Sequence, residues 1–415
     1  MSEVNWAELA PTKLDTVIDG SVRLLEVLGN GSYGCLFLGQ TINPQASSHP
    51  DEYVAVKALS KRDLDERALT LQRQELSIHA SLTHPNVVAL HRIVEDADTI
   101  YMVMELCEGD LFEAIMRDQQ QQATGAAPDD EFIRTAFTQV LEAVEYMHRC
   151  GIYHRDIKPE NVLVRYPDSV EGHGLTFKLA DFGLATRDAQ SSEFGCGSTS
   201  YLAPEHFADD TYVGSAPLYS SAASDVWSLG ILLLALVFGR NPWQEASIAD
   251  PVFAQYRRNP NVLRQLLPLS DDCLAFLRLA LVVDPACRPS VRDLHRAFDR
   301  IRTFVATPVA EVNAIPVDIP AAPTTPVPQP TLTTGAYARK QNRNSCDSGV
   351  FVSASSWSDL DDDDFFEGDP FSDQNTIMPA PCVGKSVEET GGGIQNGEED
   401  EAIFVHAEER DSWWM

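Results

Sequence analysis

At 415 residues and 44% hydrophobic content, the chain is long enough for two or three domains and a large core. Its 62 acidic residues against 31 basic ones give a formal net charge of −31, which excludes binding to nucleic acid or an anionic membrane through a general basic field. The 8 cysteines are scattered with no C-x-x-C pair, which excludes a zinc or redox centre of that type and implies a reducing compartment. Residues 1–20 hold no apolar core of a signal peptide, and the longest apolar run, Ile231 to Phe238, is too short to cross a bilayer. The expected location is the cytosol, with the nucleus as a second compartment.

In chain order, residues 1–20 read as a lead-in. Val22 to Leu28 then alternates like a strand toward Gly29-Asn30-Gly31-Ser32-Tyr33-Gly34-Cys35-Leu36 and continues into Phe37-Leu38-Gly39. Glycines at these positions let a strand-turn-strand close over nucleotide phosphates with no Cβ in the way. The same spacing marks dinucleotide sites, but there it opens a helix, whereas a second strand follows here. After a loop rich in Pro, Ser, Asn and His from Thr41 to Glu52, Tyr53-Val54-Ala55-Val56-Lys57 predicts the next strand. A helix is expected from Glu66 to Leu82; it carries Glu75, nine residues before His84-Pro85-Asn86, with Glu66 as the alternative acid. Ile100 to Cys107 predicts a further strand, and the low-complexity stretch Gln119 to Asp130 a surface loop. Apolar residues recur with helical period from Phe132 to Met147 in a helix predicted over Glu131 to Cys150, ending at Gly151.

That helix delivers His154-Arg155-Asp156-Ile157-Lys158-Pro159-Glu160-Asn161, followed twenty residues later by Asp181-Phe182-Gly183. Phosphoryl transfer requires a carboxylate to orient and accept the proton of an attacking hydroxyl, and oxygen ligands for magnesium. Asp156 fits the first requirement; Asn161 and Asp181 fit the second. Val162-Leu163-Val164, a turn, and Phe177-Lys178-Leu179-Ala180 predict two short strands that bring both carboxylates to one cleft. Ala203-Pro204-Glu205 comes next, then Ser224-Asp225-Val226-Trp227-Ser228-Leu229-Gly230, which enters a helix so apolar that it must be buried all round. Helices are expected at Val262 to Leu267, Cys273 to Leu281 and Val291 to Val305.

Several separate motifs in this order and spacing resemble the eukaryotic protein kinases, from about Ser21 to about Arg302. The resemblance implies an α+β, two-lobed fold. A small antiparallel β lobe with one helix would occupy 21–105, a large mainly helical lobe 106–302, and a disordered acidic tail 303–415. It implies a monomeric protein serine/threonine kinase that uses ATP and Mg2+ and acts on protein substrates. Lys57 would hold the α- and β-phosphates, paired with Glu75; Lys158, two residues after the base, would meet the γ-phosphate and is the serine/threonine signature. Gly29, Gly31 and Gly34 would cover the nucleotide, in a binding set that includes Leu28, Asn30, Leu36, Ala55 and Leu163. Leu36 stands where Val is usual. Met104 matches the gatekeeper, the backbones of Glu105 and Cys107 the groups that bond the adenine edge, and Asp110 a position near the ribose. Asp110 and Glu160 match acidic positions that face a basic residue of the substrate, so Arg or Lys three residues upstream of the target is expected. The alternative is a catalytically weak kinase-fold scaffold acting through its tail; the presence of Lys57, Asp156 and Asp181 argues against it.

Several positions depart from the family pattern. His79 replaces an apolar residue that links its helix to the D-F-G phenylalanine; it is either a pH-sensitive element or a core histidine. Ser198 replaces the threonine that contacts Asp156 and Lys158. Phe194 occupies the place of an activating phosphothreonine, so Arg155 must be met by Glu193 or by a phosphate on Ser191 or Ser192; the expectation is that Glu193 suffices. Glu205 is expected to pair with Arg288, and Asp225 to hold the catalytic-loop backbone.

Thr307 to Thr334 is a Pro/Ala/Thr-rich linker. Beyond it lie basic Arg339-Lys340-Gln341-Asn342-Arg343 and then Ser355 to Phe366, an acidic run with embedded aromatics. That run reads either as a peptide docking on a partner or on the kinase itself, or as a solvating tail. From Thr303 onward there are 20 acidic and 5 basic residues. The segment Gly195-Cys196-Gly197-Ser198-Thr199-Ser200-Tyr201 and the block from Asp347 to Asp359 resemble fungal kinases of the group that restrains meiosis and responds to nutrients. This implies a role in the choice between growth and differentiation.

Overall fold

The computed structural model describes residues 5–30, 34–42, 52–62, 64, 66–123, 129–166, 174–207 and 218–306. The tail beyond Ala306, most of the loop from Thr41 to Glu52 and the turn containing Gly31 therefore lie outside the described residues.

The first lobe is built on a six-stranded antiparallel sheet in the order β1-β2-β3-β4-β6-β5. Its strands are β1 (Val17–Ile18), β2 (Val22–Asn30), β3 (Gly34–Thr41), β4 (Tyr53–Ser60), β5 (Leu90–Glu95) and β6 (Thr99–Glu105). Side chains alternate across a strand, and here both faces are apolar. From β4, Ala55 and Leu59 join a cluster with Leu36, Ile100, Met102 and Met104. The intervening Val54, Val56 and Ala58 join Phe37, Tyr101 and Val103 on the opposite face.

What covers that second face corrects the reading of residues 1–20 as a lead-in. Helix α1 (Trp6–Lys13) lays Trp6 and Ala10 into the same cluster, with Ile18 of β1 beside them. Lys13 then donates to Tyr101 Oη at 2.9 Å and Thr99 Oγ1 at 3.0 Å on β6. The segment is short and contains Pro11, so it has little helical signal of its own; burial of Trp6 against the sheet decides its conformation. The lobe's other helix, α2 (Glu66–Ala80), stands close to the predicted range.

In the second lobe, β7 (Gly109–Asp110), β8 (Val162–Arg165) and β9 (Thr176–Leu179) form a small antiparallel sheet, with Val162 opposite Leu179. Helix α3 (Leu111–Ala123) runs through Gln119 to Gln122, so the expected loop begins later than predicted. Glutamine is a good helix former, and a low-complexity run of it continues the helix begun by Leu111 and Phe112. Helix α4 (Asp130–Arg149) starts on Asp129, whose carboxylate accepts from the N–H groups of Glu131 and Phe132, and buries Ile133, Phe137, Val140, Leu141, Val144 and Met147.

Beside α4 lies α5 (Ser221–Phe238), preceded by β11 (Tyr219–Ser220), which pairs with β10 (Gln190–Ser191). By length and composition α5 could cross a bilayer, contrary to the eight-residue estimate, but 89% of it is buried in the lobe. Gly239 ends it in the left-handed region, φ 65°, where a Cβ is disfavoured. The sequence reading missed α6 (Pro251–Arg258); α7 (Val262–Leu266) and α8 (Asp271–Ala280) are close to expectation. Helix α9 (Val291–Phe298) is shorter than predicted, and the chain closes instead through a bridge between Leu269 and Val305.

Candidate active site

Apolar residues of β2–β4 and β6 share one cluster with Leu163 of β8 and Ala180, where the two lobes meet. Period-two alternation aims Ala55 and Lys57 to the same side of β4. Lys57 is buried, and its ammonium lies 2.7 Å from Glu75 Oε1 and 3.3 Å from Asp181 Oδ1. Burial alone would lower the pKa of this amine, but the carboxylates of Asp181 and Glu75 outweigh it and hold the pKa above its usual value. The lysine is thus a fixed cation. Of the two candidate acids, Glu75 is the partner.

His79, one turn beyond Glu75, settles as a core histidine. It is buried, its Nε2–H donates to the Val88 carbonyl at 2.8 Å, and its ring lies 4.7 Å from that of Phe182. Burial lowers its pKa to about 4, so it is neutral near pH 7.

The catalytic loop is held from beneath. Asp225 on α5 accepts from the backbone N–H of His154 at 3.0 Å and of Arg155 at 2.8 Å, and from His148 Nε2 at 2.8 Å. Those bonds support Arg155 at φ 68°, a conformation costly for a side chain of its size. Asp181 also sits at positive φ, 55°.

Around Asp156 the polar groups converge. The Ser198 hydroxyl and N–H each donate to Asp156 Oδ1 at 2.9 Å, and Lys158 Nζ donates to Ser198 Oγ at 2.8 Å while lying 3.5 Å from Asp156 Oδ2. Burial would raise the Asp156 pKa, but Lys158, His154 and the Ser198 bonds hold it below the usual carboxylate value. The carboxylate is therefore ionised and aimed. Asn161 donates through Nδ2 to the Asp156 backbone carbonyl at 2.8 Å and to Asp156 Oδ2 at 2.9 Å, so its amide oxygen is the atom that could take a metal. The Asn161 carbonyl accepts from Ala180 N–H at 2.8 Å, which brings Asn161 to the residue before Asp181. One amide oxygen and one carboxylate make too small a set for a zinc or calcium cage. They fit Mg2+, which keeps waters and takes phosphate oxygens as further ligands.

Leu36, Ala55, Met104 and Leu163 are buried in one apolar cluster, with Leu28 and Cys107 packed at its margin, a surface suited to a flat base. Gly29 pairs with Leu36 and Asn30 with Cys35 across the β2–β3 ladder. Glu105 has a side-chain role that motif reading did not reveal. Its buried carboxylate lies 2.9 Å from Lys178 Nζ and 3.3 Å from Arg165 Nη1 and accepts from Ala89 N–H, while Lys178 Nζ donates to the Pro85 carbonyl at 2.8 Å. Neither cation belongs to a short motif; only a lysine inside the apolar run of β9 hinted at a buried partner.

Asp110 Oδ1 accepts from Glu113 N–H at 2.8 Å. Burial, then the charges of Glu113 and Glu160, raise its pKa to about 7. Arg155 reaches Glu193 at 2.7 Å, Ser191 Oγ at 3.2 Å and the Leu184 carbonyl at 2.6 Å. Glu205 and Arg288 form the expected pair, two-pronged at 2.7 Å each.

A curled antiparallel sheet over a helical lobe, with a buried lysine–glutamate pair facing an aspartate-bearing loop, defines the two-lobed kinase class. Residues 22–297 match the protein kinase domain, and the chain belongs to that family. It is 36% identical over 300 residues to the negative regulator of sexual conjugation and meiosis of Schizosaccharomyces pombe, covering 68% of this chain and 60% of that protein. Identity to the serine/threonine-protein kinase ksp1 of the same yeast is 38% over 266 residues, 63% of this chain and 53% of the relative. To the serine/threonine-protein kinase VHS1 of Saccharomyces cerevisiae it is 34% over 242 residues, 56% and 50% of the two chains. The chain thus spans about half to three fifths of the length of these curated relatives.

Proposed function

We propose that this chain is a protein serine/threonine kinase that transfers the γ-phosphoryl group of ATP to serine and threonine hydroxyls of protein substrates. The observation that carries this reading is the convergence of Lys57, Glu75 and Asp181 with Asp156, Lys158, Ser198 and Asn161 in one cleft. Asp156 orients the substrate hydroxyl and accepts its proton. Lys158 faces the γ-phosphate, Lys57 the α- and β-phosphates, and the backbones of Glu105 and Cys107 the adenine edge. Mg2+ held by Asn161 and Asp181 would neutralise charge on the transferring group. Catalysis is then positioning and electrostatics, with no covalent enzyme intermediate.

Glu193 takes the place of an activating phosphate on Arg155, and its 2.7 Å contact supports activity without loop phosphorylation. The acidic pair Asp110 and Glu160 favours Arg or Lys three residues before the target. A place in nutrient-dependent choice between growth and differentiation is favoured by the likeness to the fission-yeast negative regulator of sexual conjugation and meiosis. The expected location is the cytosol, with the nucleus as a second compartment. The acidic tail serves as a docking peptide for a regulatory partner or for the kinase domain itself.

The test is phosphate incorporation from Mg-ATP into an arrayed peptide library by the full chain, a chain ending at Ala306 and an Asp156→Ala control. Incorporation that disappears in the control and favours upstream arginine is expected. ATP binding without transfer in any of the three would instead make the protein a scaffold, and activity only after phosphorylation of Ser191 or Ser192 would remove Glu193 from its role.

A further inference from the structure

Phe194 stands where related enzymes carry a phosphate, and its surroundings are aromatic. Its ring is 5.2 Å from Tyr219 and 6.4 Å from His206, which are themselves 4.3 Å apart. Tyr219 belongs to β11, and Ser191 of the activation segment pairs with it. His206, directly after Glu205, is buried and engaged at both nitrogens. Nδ1 accepts from Gly195 N–H at 3.2 Å, and Nε2 lies 2.9 Å from Ser224 Oγ on α5. An acceptor at Nδ1 assigns the proton to Nε2, so the Nε2–H donates to Ser224.

These contacts form a short mechanical path. Gly195 precedes the segment that carries Ser198, and Ser224 precedes Asp225, which holds the backbone of His154 and Arg155. Within that segment Gly197 runs so close to the catalytic loop that a Cβ would lie 2.6 Å from the Arg155 carbonyl, at φ 119°.

We propose that His206 is a positioning residue: with Phe194 and Tyr219 it forms an aromatic latch that fixes residues 195–202 to α5 and thereby sets Ser198 on Asp156 for peptide binding and transfer. The latch rests on the phosphoryl-transfer reading and deepens it. It performs by packing and two hydrogen bonds the anchoring that a phosphate performs in related enzymes. The Arg155–Glu193 pair adds a polar contact on the side of the segment that faces solvent, Glu193 being half exposed.

The test uses the full chain with Mg-ATP and a peptide substrate, measuring kcat, KM for peptide, Kd for ATP and Tm. His206→Phe keeps a ring and removes both hydrogen bonds; Phe194→Ala removes a ring that is 40% exposed, so it opens no core cavity; Phe194→Tyr keeps it. We expect kcat/KM for peptide to fall about ten- to a hundredfold in the first two and about twofold or less in Phe194→Tyr, with ATP affinity unchanged, because displacement of a substrate-positioning segment acts on the peptide step. Should His206→Phe fail to fold, Phe194→Ala carries the same comparison. Peptide turnover equal to wild type in Phe194→Ala would overturn the latch, and so would a loss in which ATP affinity and Tm fall in parallel with turnover. A wild-type chain that binds ATP but transfers nothing would remove the kinase reading itself, and the latch with it.

Discussion

Lys57, Glu75 and Asp181 form a three-charge contact in which one cation holds two acids. Glu75→Gln keeps a hydrogen bond but removes a charge, leaving Lys57 to Asp181 alone. We expect the rate of transfer to fall about tenfold or more with KM for peptide little changed, since the lysine would lose its set position for the phosphates; equal rates would show that Asp181 alone positions it. Asp110 gives a pH test with a defined sign. Its carboxyl holds a proton up to about pH 7, and an arginine bound beside it favours the ionised form. Binding of an upstream-arginine peptide there would therefore release that proton and weaken as pH falls. KM for such peptides should rise several-fold between pH 8 and 6, approaching about tenfold per unit at the limit. In Asp110→Asn that dependence should be absent; if it persists, another group carries it.

Among elements, α1 shows how a short segment with weak intrinsic preference becomes part of a lobe. Trp6 is almost wholly buried, so Trp6→Ala should destabilise the protein by about 3 kcal/mol, measured by urea unfolding. Unfolding unchanged by the substitution would mean that α1 sits on the sheet without supporting it. The Glu205–Arg288 contact is of another kind, since both side chains are out of water. Arg288→Ala would strand a buried carboxylate and should cost about 3–5 kcal/mol. A loss below about 1 kcal/mol would show that water reaches Glu205 once the guanidinium is gone.

Across the whole molecule, two buried neutral histidines on opposite sides of the cleft set the response to acid. His79 faces Lys57, Asp181 and Glu105; His206 faces Glu205, Arg288, Arg155 and Asp225. Each has its pKa lowered to about 4, burial being the largest cause, against an ordinary value near 6.5. The unfolded chain therefore takes up protons between about pH 6.5 and 4 that the folded chain refuses, and stability falls as pH drops through that window. Each histidine contributes up to about 3 kcal/mol, while Asp110, whose pKa is raised on folding, opposes them with stability that is lost as pH rises toward 7. Two groups against one give a net loss. Tm should decline from pH 7 to 4.5, and the decline should be shallower in His79→Leu; an equal slope would place the acid sensitivity elsewhere.

Most of the candidate catalytic constellation was legible in the sequence because phosphoryl transfer demands particular groups at short, rigid separations. Asp156, Lys158 and Asn161 lie within one loop, and β8 and β9, paired antiparallel, stand between Asn161 and Asp181, so spacing alone implied their meeting. Lys57 and Glu75 were legible through their family spacing, and Arg288 through its motif. The tertiary structure alone decided whatever depends on burial between distant segments. It alone made α1 a cover for the sheet, His79 a neutral core residue, Glu105 the centre of a buried ion network, and His206 the bridge from Gly195 to Ser224. Local sequence determines which groups are available, while desolvation and the choice between competing partners are properties of the assembled chain, set by which surfaces exclude water from which polar atoms.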